Sequence, residues 1–377
     1  MLYKNFGDLR LSALGLGMMR LPKSGNGDGD IDEAKAAEMV DYAIRNGVNY
    51  FDTAYGYHGG KSEIVTGRIL SRYPRESYHL ASKFPGYDAA NLERIPEIFE
   101  EQLKKCGVTY FDFYLLHNVC EDDIDGYLDE SKGLMRYLLE QKAAGRIRHL
   151  GFSCHGNYDT LKRMLDTYGQ YLEFCQIQLN YMDWHYQDAK ARVELLNERN
   201  IPIWVMEPLR GGKLANLPRS AAEKLHALRP EESVPGWAFR FLQAVPGVTV
   251  TLSGMSSMQQ LEENVETFRS EQPLNREEFD AAVSVADAMV SGGVLPCTAC
   301  RYCTTRCPAH LDIPALLALY NEYRFSGDTS VAQELRELPE TAWPSACIAC
   351  RSCEGICPQK IKVSEAMADF AKSAGLR

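Results

Sequence analysis

The sequence predicts an α/β chain in which a (β/α)8 TIM barrel over residues 1–290 is followed by a small, mainly helical domain over residues 291–377. Three observations carry this prediction. Short apolar runs rich in branched and aromatic residues alternate with amphipathic helical patterns, as parallel βα units with both sheet faces covered require. There are eight such runs in the first 290 residues, the number and length that one closed barrel uses. The composition then changes after the Ser-Gly-Gly at 291–293, beyond which lie eight of the twelve cysteines.

The strand candidates, in order, are Leu11–Gly17, Asn49–Thr53, Tyr78–Lys83, Phe111–His117, Ile147–Ser153, Phe174–Tyr181, Ile203–Pro208 and Val248–Ser253. Helical periodicity marks Asp32–Asn46, Leu92–Cys106, Tyr158–Tyr168 and Met258–Arg269, and in the tail Ile313–Gly327. A glycine-rich stretch at Ser24–Gly29 reads as loop. The rival fold is an open doubly wound sheet, which normally announces itself by a G-x-G-x-x-G turn opening a helix. Here Leu14–Gly17 supplies only G-x-G, and the MMRLP that follows opens no helix.

Hydrophobic residues make up 45% and charged residues 24% of the chain, ordinary values for a globular protein. No apolar run is long enough to span a bilayer, and MLYKNFGDLRLSALGLG lacks a signal-peptide core, so a cytoplasmic location is expected. The net charge of −10 argues against a nucleic-acid partner. From Ser291 onward nine Lys/Arg balance nine Asp/Glu, so the excess acid belongs to the barrel.

The eight late cysteines form an internal repeat fifty residues apart, CTACRYCTTRCP at 297–308 and CIACRSCEGICP at 347–358. Both copies follow C-x2-C-x2-C-x3-C-P, the bacterial ferredoxin spacing for [4Fe–4S] ligation, in which the fourth cysteine commonly reaches the other cluster. Cys297, Cys300, Cys303 and Cys357 are therefore assigned to one cluster, and Cys347, Cys350, Cys353 and Cys307 to the other. Structural zinc also uses C-x2-C pairs but needs only four ligands, and two complete runs exceed that. The tail resembles the helical ferredoxin-like Fe–S domains attached to larger oxidoreductases. Cys106, Cys120 and Cys175 read as small buried hydrophobes.

In the barrel, four residues fall at or just past the ends of consecutive strands, where such a fold carries its active site. They are Asp52, Tyr57, Lys83 and His117. A tyrosine hydroxyl can give a proton to an oxygen receiving hydride. Its ordinary pKa near 10 leads one to expect that a neighbouring ammonium lowers it and that a buried carboxylate fixes the ammonium. A histidine can orient the carbonyl oxygen.

The segments FDTAYGYHGGKSEIVTGRIL, ASKF, FDFYLLH, LGFSCHGN, IQLNY, MEPLRGGKL and SGMSSMQQLEENV resemble the aldo-keto reductases, over roughly Leu2–Phe268. The resemblance implies a (β/α)8 barrel that reduces carbonyl compounds with a nicotinamide cofactor, and a catalytic tetrad at Asp52, Tyr57, Lys83 and His117. Tyr57 is preferred to Tyr55 because it lies five residues after the aspartate. The resemblance further implies cofactor contacts at Ser153, Gln176, Met206, Leu209, Gly254, Gln260, Glu263 and Asn264. The chain departs from the family pattern at three of these places. The Ser-Asn pair that holds the carboxamide becomes Ser153–Cys154, the stacking aromatic becomes Met206, and the arginine that meets the 2′-phosphate of NADPH becomes Gln260. Without a cation there, either NADH is favoured over NADPH or nicotinamide binding is weak altogether.

The expected function is an oxidoreductase of aldo-keto reductase type with two [4Fe–4S] clusters. It would act on a small-molecule carbonyl-type substrate with electrons from nicotinamide, the clusters or both. A ferredoxin or flavoprotein is a possible redox partner. The alternative is an electron-transfer or redox-sensing subunit whose barrel binds nucleotide without turnover.

Overall fold

The computed structural model describes residues 1–25, 27–291, 293, 295–326 and 330–376. Its residues form two compact units. One comprises Met1–Pro208 with Ala238–Asn275, and the other Leu209–Trp237 with Arg276–Arg377. The expected division at 290/291 cuts the chain differently, because Leu209–Trp237 and the helix Arg276–Ser291 group with the cysteine-rich tail. Gly292 of the expected boundary lies outside the described residues.

Eight parallel strands close the barrel: β1 (Leu14–Gly17), β2 (Tyr50–Asp52), β3 (His79–Phe84), β4 (Phe111–Val119), β5 (Ile147–Cys154), β6 (Cys175–Gln178), β7 (Ile203–Met206) and β8 (Val248–Ser253). β8 pairs with both β7 and β1, which leaves the sheet without an edge. Their burial is nearly continuous, as expected for strands covered on both faces. Helices run between them, including α1 (Glu33–Arg45), α2 (Ser62–Leu70), α3 (Ile95–Cys106), α4 (Leu134–Ala143), α5 (Tyr158–Tyr168), α6 (Ala189–Glu198), α7 (Val234–Ala244) and α8 (Met258–Thr267). Local signals set their ends. Asp32 and Asn157 cap α1 and α5 by accepting from Lys35 N and Thr160 N, and Gly107, at φ +64°, ends α3.

The first strand candidate, Leu11–Gly17, is divided in the structure. Tyr3–Phe6 and Leu9–Ser12 form an antiparallel hairpin, and only Leu14–Gly17 enters the barrel. The hairpin packs Phe6 and Leu9 against Tyr50, Phe113, Phe174 and Trp204 in the barrel interior. Phe6 meets Phe113, His149, Phe174 and Trp204 with ring centroids 5.0–6.3 Å apart. That end of the barrel is filled, and the polar strand ends lie at the other.

Close packing of α2 on α3 depends on Gly67, where an added Cβ would stand 2.3 Å from the Cys106 carbonyl oxygen. Because backbone cannot swing aside as a flexible side chain can, Gly67→Ala is expected to destabilise the protein by about 1–3 kcal/mol. Thermal unfolding with an unchanged midpoint would refute this.

In the second unit, α9 (Arg276–Ser291) precedes the tail, which contains α10 (Ile313–Ser326), α11 (Ser330–Glu337) and α12 (Val363–Ser373). Gly327, the last residue of the expected helix, lies outside the described residues. The fifty-residue repeat extends beyond the cysteines. Buried Leu311, Ile313, Leu317 and Tyr320 recur as buried Ile361, Val363, Met367 and Phe370, and together they build the core of the tail.

Candidate functional site

The four strand-end residues converge. Asp52 ends β2, Lys83 lies in β3 and His117 in β4, while Tyr57 stands in the turn after β2. All three strand residues are buried. The Lys83 ammonium donates to Asp52 Oδ1, to the Thr53 carbonyl at 2.8 Å and to the Tyr57 hydroxyl at 3.3 Å. It also lies 4.8 Å from the Tyr57 ring centroid. The Tyr57 ring meets His117 edge-on at 5.8 Å, and Tyr87 meets the same imidazole at 5.4 Å. Tyr55 is directed elsewhere, with its hydroxyl on Glu101 at 3.1 Å.

Behind Lys83 a buried polar network fixes the strand. Gln102 donates to the Lys83 carbonyl at 3.0 Å and to Glu63 Oε1 at 2.7 Å, and Tyr114 and Ser82 complete it. Every partner is supplied by α2, α3, β3 or β4, so the network couples helix packing to the position of the ammonium.

Electrostatics at the site correct one expectation. Burial pushes the Tyr57 hydroxyl well above its ordinary value, the charge of Asp52 adds to this, and Arg20 opposes it. The ammonium does not make the tyrosine more acidic, because loss of solvation outweighs it. Burial also pulls Lys83 down and Asp52 up, each effect resisted by the other partner. His117 is held well below its usual value, first by burial and then by Lys83 and His155, and is neutral at physiological pH. The site thus presents a protonated phenol beside a neutral imidazole.

The nicotinamide candidates divide into groups. Ser153 and Gln176 are buried and directly opposite each other on β5 and β6. Ser153 Oγ accepts from Asn118 N at 2.7 Å, whereas Gln176 Oε1 has no partner. A buried acceptor left open beside a hydroxyl suits a carboxamide N–H, so this pair fits the group. Met206 ends β7 and is 8% exposed. Gly254 follows β8, where a side chain would meet the Arg20 stem at 3.0 Å.

At the start of α8, Ser257 caps the helix and Gln260 turns back to accept from Ser256 N at 2.8 Å, an arrangement close to a capping box. Glu263 accepts from Gln259 at 2.9 Å, and buried Asn264 donates to Ser253 Oγ at 3.1 Å. Residues 254–264 contain no Lys or Arg. Leu209 belongs to the second unit, at the start of a turn through Arg210–Ala215.

Arg20 was not foreseen. It lies on the short turn Met18–Arg20 after β1, pairs with Glu207 at 3.6 Å and faces Tyr57 electrostatically. Its place just beyond a strand end was the available signal.

The cysteines sort themselves in space. One cavity is lined by Cys297, Cys300, Cys303 and Cys357, and another by Cys307, Cys347, Cys350 and Cys353. Each takes three thiols from one run and the fourth from the other. Burial and then Cys300, Cys297 and Cys357 push Cys303 up to about 12. The backbone repeats as well. Positive φ occurs at Ala299 and Ala349, Arg301 and Arg351, and His310 and Lys360. Non-glycine residues held left-handed at matched positions indicate a specified loop geometry. Thiol donors around paired cavities fit [4Fe–4S] chemistry.

Comparison with known proteins agrees with this geometry. The sequence model of the aldo/keto reductase family matches residues 13–287, and that of a 4Fe-4S dicluster domain matches residues 296–361. The chain belongs to the aldo/keto reductase family and carries a dicluster domain at its C-terminal end. It is 28% identical over 230 residues to probable aldo-keto reductase 1 of Glycine max, covering 57% of this chain and 63% of that one. It is 26% identical over 227 residues to the NADH-specific methylglyoxal reductase of Escherichia coli (strain K12), covering 55% and 66%. The chain thus spans slightly less than two thirds of these relatives' lengths. The holo form of the aldo-keto reductase AKR11C1 from Bacillus halodurans shares the fold, with a TM-score of 0.62, 24% identity, and 76% and 96% of the two chains covered. Among the described residues no helix is long and apolar enough to cross a membrane.

Proposed function

We propose that the chain is an iron–sulfur reductase of small carbonyl-type substrates, with Asp52, Tyr57, Lys83 and His117 as its catalytic residues. The observation that carries this reading is the Lys83 ammonium, bonded to buried Asp52 and 3.3 Å from the Tyr57 hydroxyl. A nucleotide-binding subunit without turnover has no need of that arrangement. Reduction adds a hydride to the carbonyl carbon and a proton to its oxygen. Tyr57 supplies the proton, and the ammonium stabilises the phenolate left behind. Neutral His117 donates a hydrogen bond to the same oxygen and aligns it.

A dihydronicotinamide held there would supply the hydride's two electrons, whereas each cluster would exchange one, so electrons would pass between them only through an intermediary such as a flavin or a partner protein. Ser153 and Gln176 would hold the carboxamide. The lack of a cation at residues 254–264 supports NADH, as does the similarity to a relative named NADH-specific. Cys297, Cys300, Cys303 and Cys357 would hold one cluster, and the other four cysteines the second.

Anaerobic titration tests this. NADH is expected to be consumed when a carbonyl such as methylglyoxal is added, with NADPH much weaker. Failure of both nucleotides to bind or react would sink the reading.

A further inference from the structure

The two cysteine runs share sequence, backbone and core, yet their outer faces differ. At the second position of the first run, Thr298 is 4% exposed. Its carbonyl oxygen lies 2.3 Å from where Gly211 would carry a Cβ, and Gly211 is left-handed at φ +68°. Only glycine permits backbone to approach that closely. The turn of Arg210–Ala215 and α9, through Met289, therefore wall the first run on the Cys297 side. Fifty residues later the equivalent position is Ile348, 66% exposed and the most exposed large hydrophobic residue described. Among the described residues of the same unit none covers it as Gly211 covers Thr298. Cys350, in the second thiol set, is exposed, whereas its counterpart Cys300 is half-buried.

Arg351 lines the same cavity as Ile348 and Cys350. From Cys347 to Lys362 the chain carries Arg351, Lys360 and Lys362 against the single acid Glu354. All three cations are exposed, while Glu354 is engaged by the Ser364 amide and hydroxyl. In a chain of net charge −10 a run with three exposed cations and one engaged acid is a local inversion.

Resting on the iron–sulfur reading above, we propose that the face formed by Ile348, Cys350 and Arg351 docks an electron-carrier protein with an acidic rim around its own redox centre. The Cys307/Cys347/Cys350/Cys353 cluster is then the port for single electrons, and the Cys297 cluster is the inner relay. The apolar centre excludes water at the point of closest approach, and the cations of the run steer the encounter. A small interface of this kind suits rapid exchange.

The test uses the full-length, cluster-loaded protein, reduced and mixed with an acidic oxidised flavodoxin under anaerobic conditions. One electron leaves the port cluster, which is oxidised by one unit, and the flavin becomes semiquinone. Ile348→Glu and Arg351→Glu are expected to slow this transfer at least about tenfold and to flatten its salt dependence. The rate with methyl viologen, which needs no docking face, is expected to stay near that of the unaltered protein. An unchanged flavodoxin rate would overturn the proposal, as would a parallel fall with viologen. Conversion of a dimer to a monomer by Ile348→Glu would also overturn it, by showing that a second copy covers this face. Iron content separates the failures. Absence of iron removes the cluster reading and the port together, whereas full iron with unchanged rates removes the port alone.

Discussion

Replacing Tyr57 with Phe is expected to lower carbonyl reduction by about 10²–10⁴-fold, the range in which a positioned general acid contributes. The substitution deletes one oxygen from a site whose other groups are held independently. Lys83 keeps its bonds to Asp52 and the Thr53 carbonyl, and the ring keeps its edge contact with His117. Nucleotide binding and iron content are therefore expected to survive, and the loss should fall on kcat. The pH profile sharpens the test. Because burial holds the Tyr57 hydroxyl well above its ordinary range, it stays protonated through neutral and mildly alkaline pH. The unaltered protein should show no loss of rate from tyrosine ionisation there. An alkaline fall that disappears in the phenylalanine variant would instead show that a bound ligand or the ammonium lowers the hydroxyl. Unchanged turnover in Tyr57→Phe would remove this residue from the chemistry altogether.

The second large effect concerns ligand exchange between the cysteine runs. A double substitution, Cys300→Ser with Cys357→Ser, removes two thiols that line one cavity. With cross-ligation the other cavity keeps Cys307, Cys347, Cys350 and Cys353, and iron should fall from about eight to about four per chain, one cubane being lost. If each run instead held its own cluster, both would lose a ligand and the iron would fall towards zero. Cys303 and Cys353 are also buried members of the tail's apolar core. Loss of a cluster should therefore loosen the surrounding helices as well, since metal binding is coupled to folding. Limited proteolysis near α10 and α12 reads that loosening directly.

The barrel was legible because its strands are apolar on both faces, and the convergence of Asp52, Tyr57, Lys83 and His117 because three of them end or lie in those strands. Tyr57 needed the spacing after Asp52, since Tyr55 is nearer in sequence. The opening hairpin was hidden because Leu9–Ser12 runs into Leu14–Gly17 with only Ala13 between, and no turn residue marks the break. The direction of the Tyr57 shift was missed for another reason. Chemical neighbours can be inferred from strand order, but depth of burial depends on every loop that closes over the site. The eight cysteines that line the two cavities could be read from their spacing, whereas the difference between Thr298 and Ile348 lies in what packs over two nearly identical segments. Arg20 and Glu207 sit in irregular turns, where periodicity carries no information.

Gly211 limits what the turn after β7 can carry. Its left-handed backbone against the Thr298 carbonyl means that a turn directly continuous with β7 is shaped for the cysteine-rich tail. A tail joined to a barrel whose turn carried any larger residue at this position would have met a steric barrier of backbone against Cβ. Glycine here thus ties the turn that follows β7 to the cysteine-rich tail, because any side chain at this position would have to displace the Thr298 backbone.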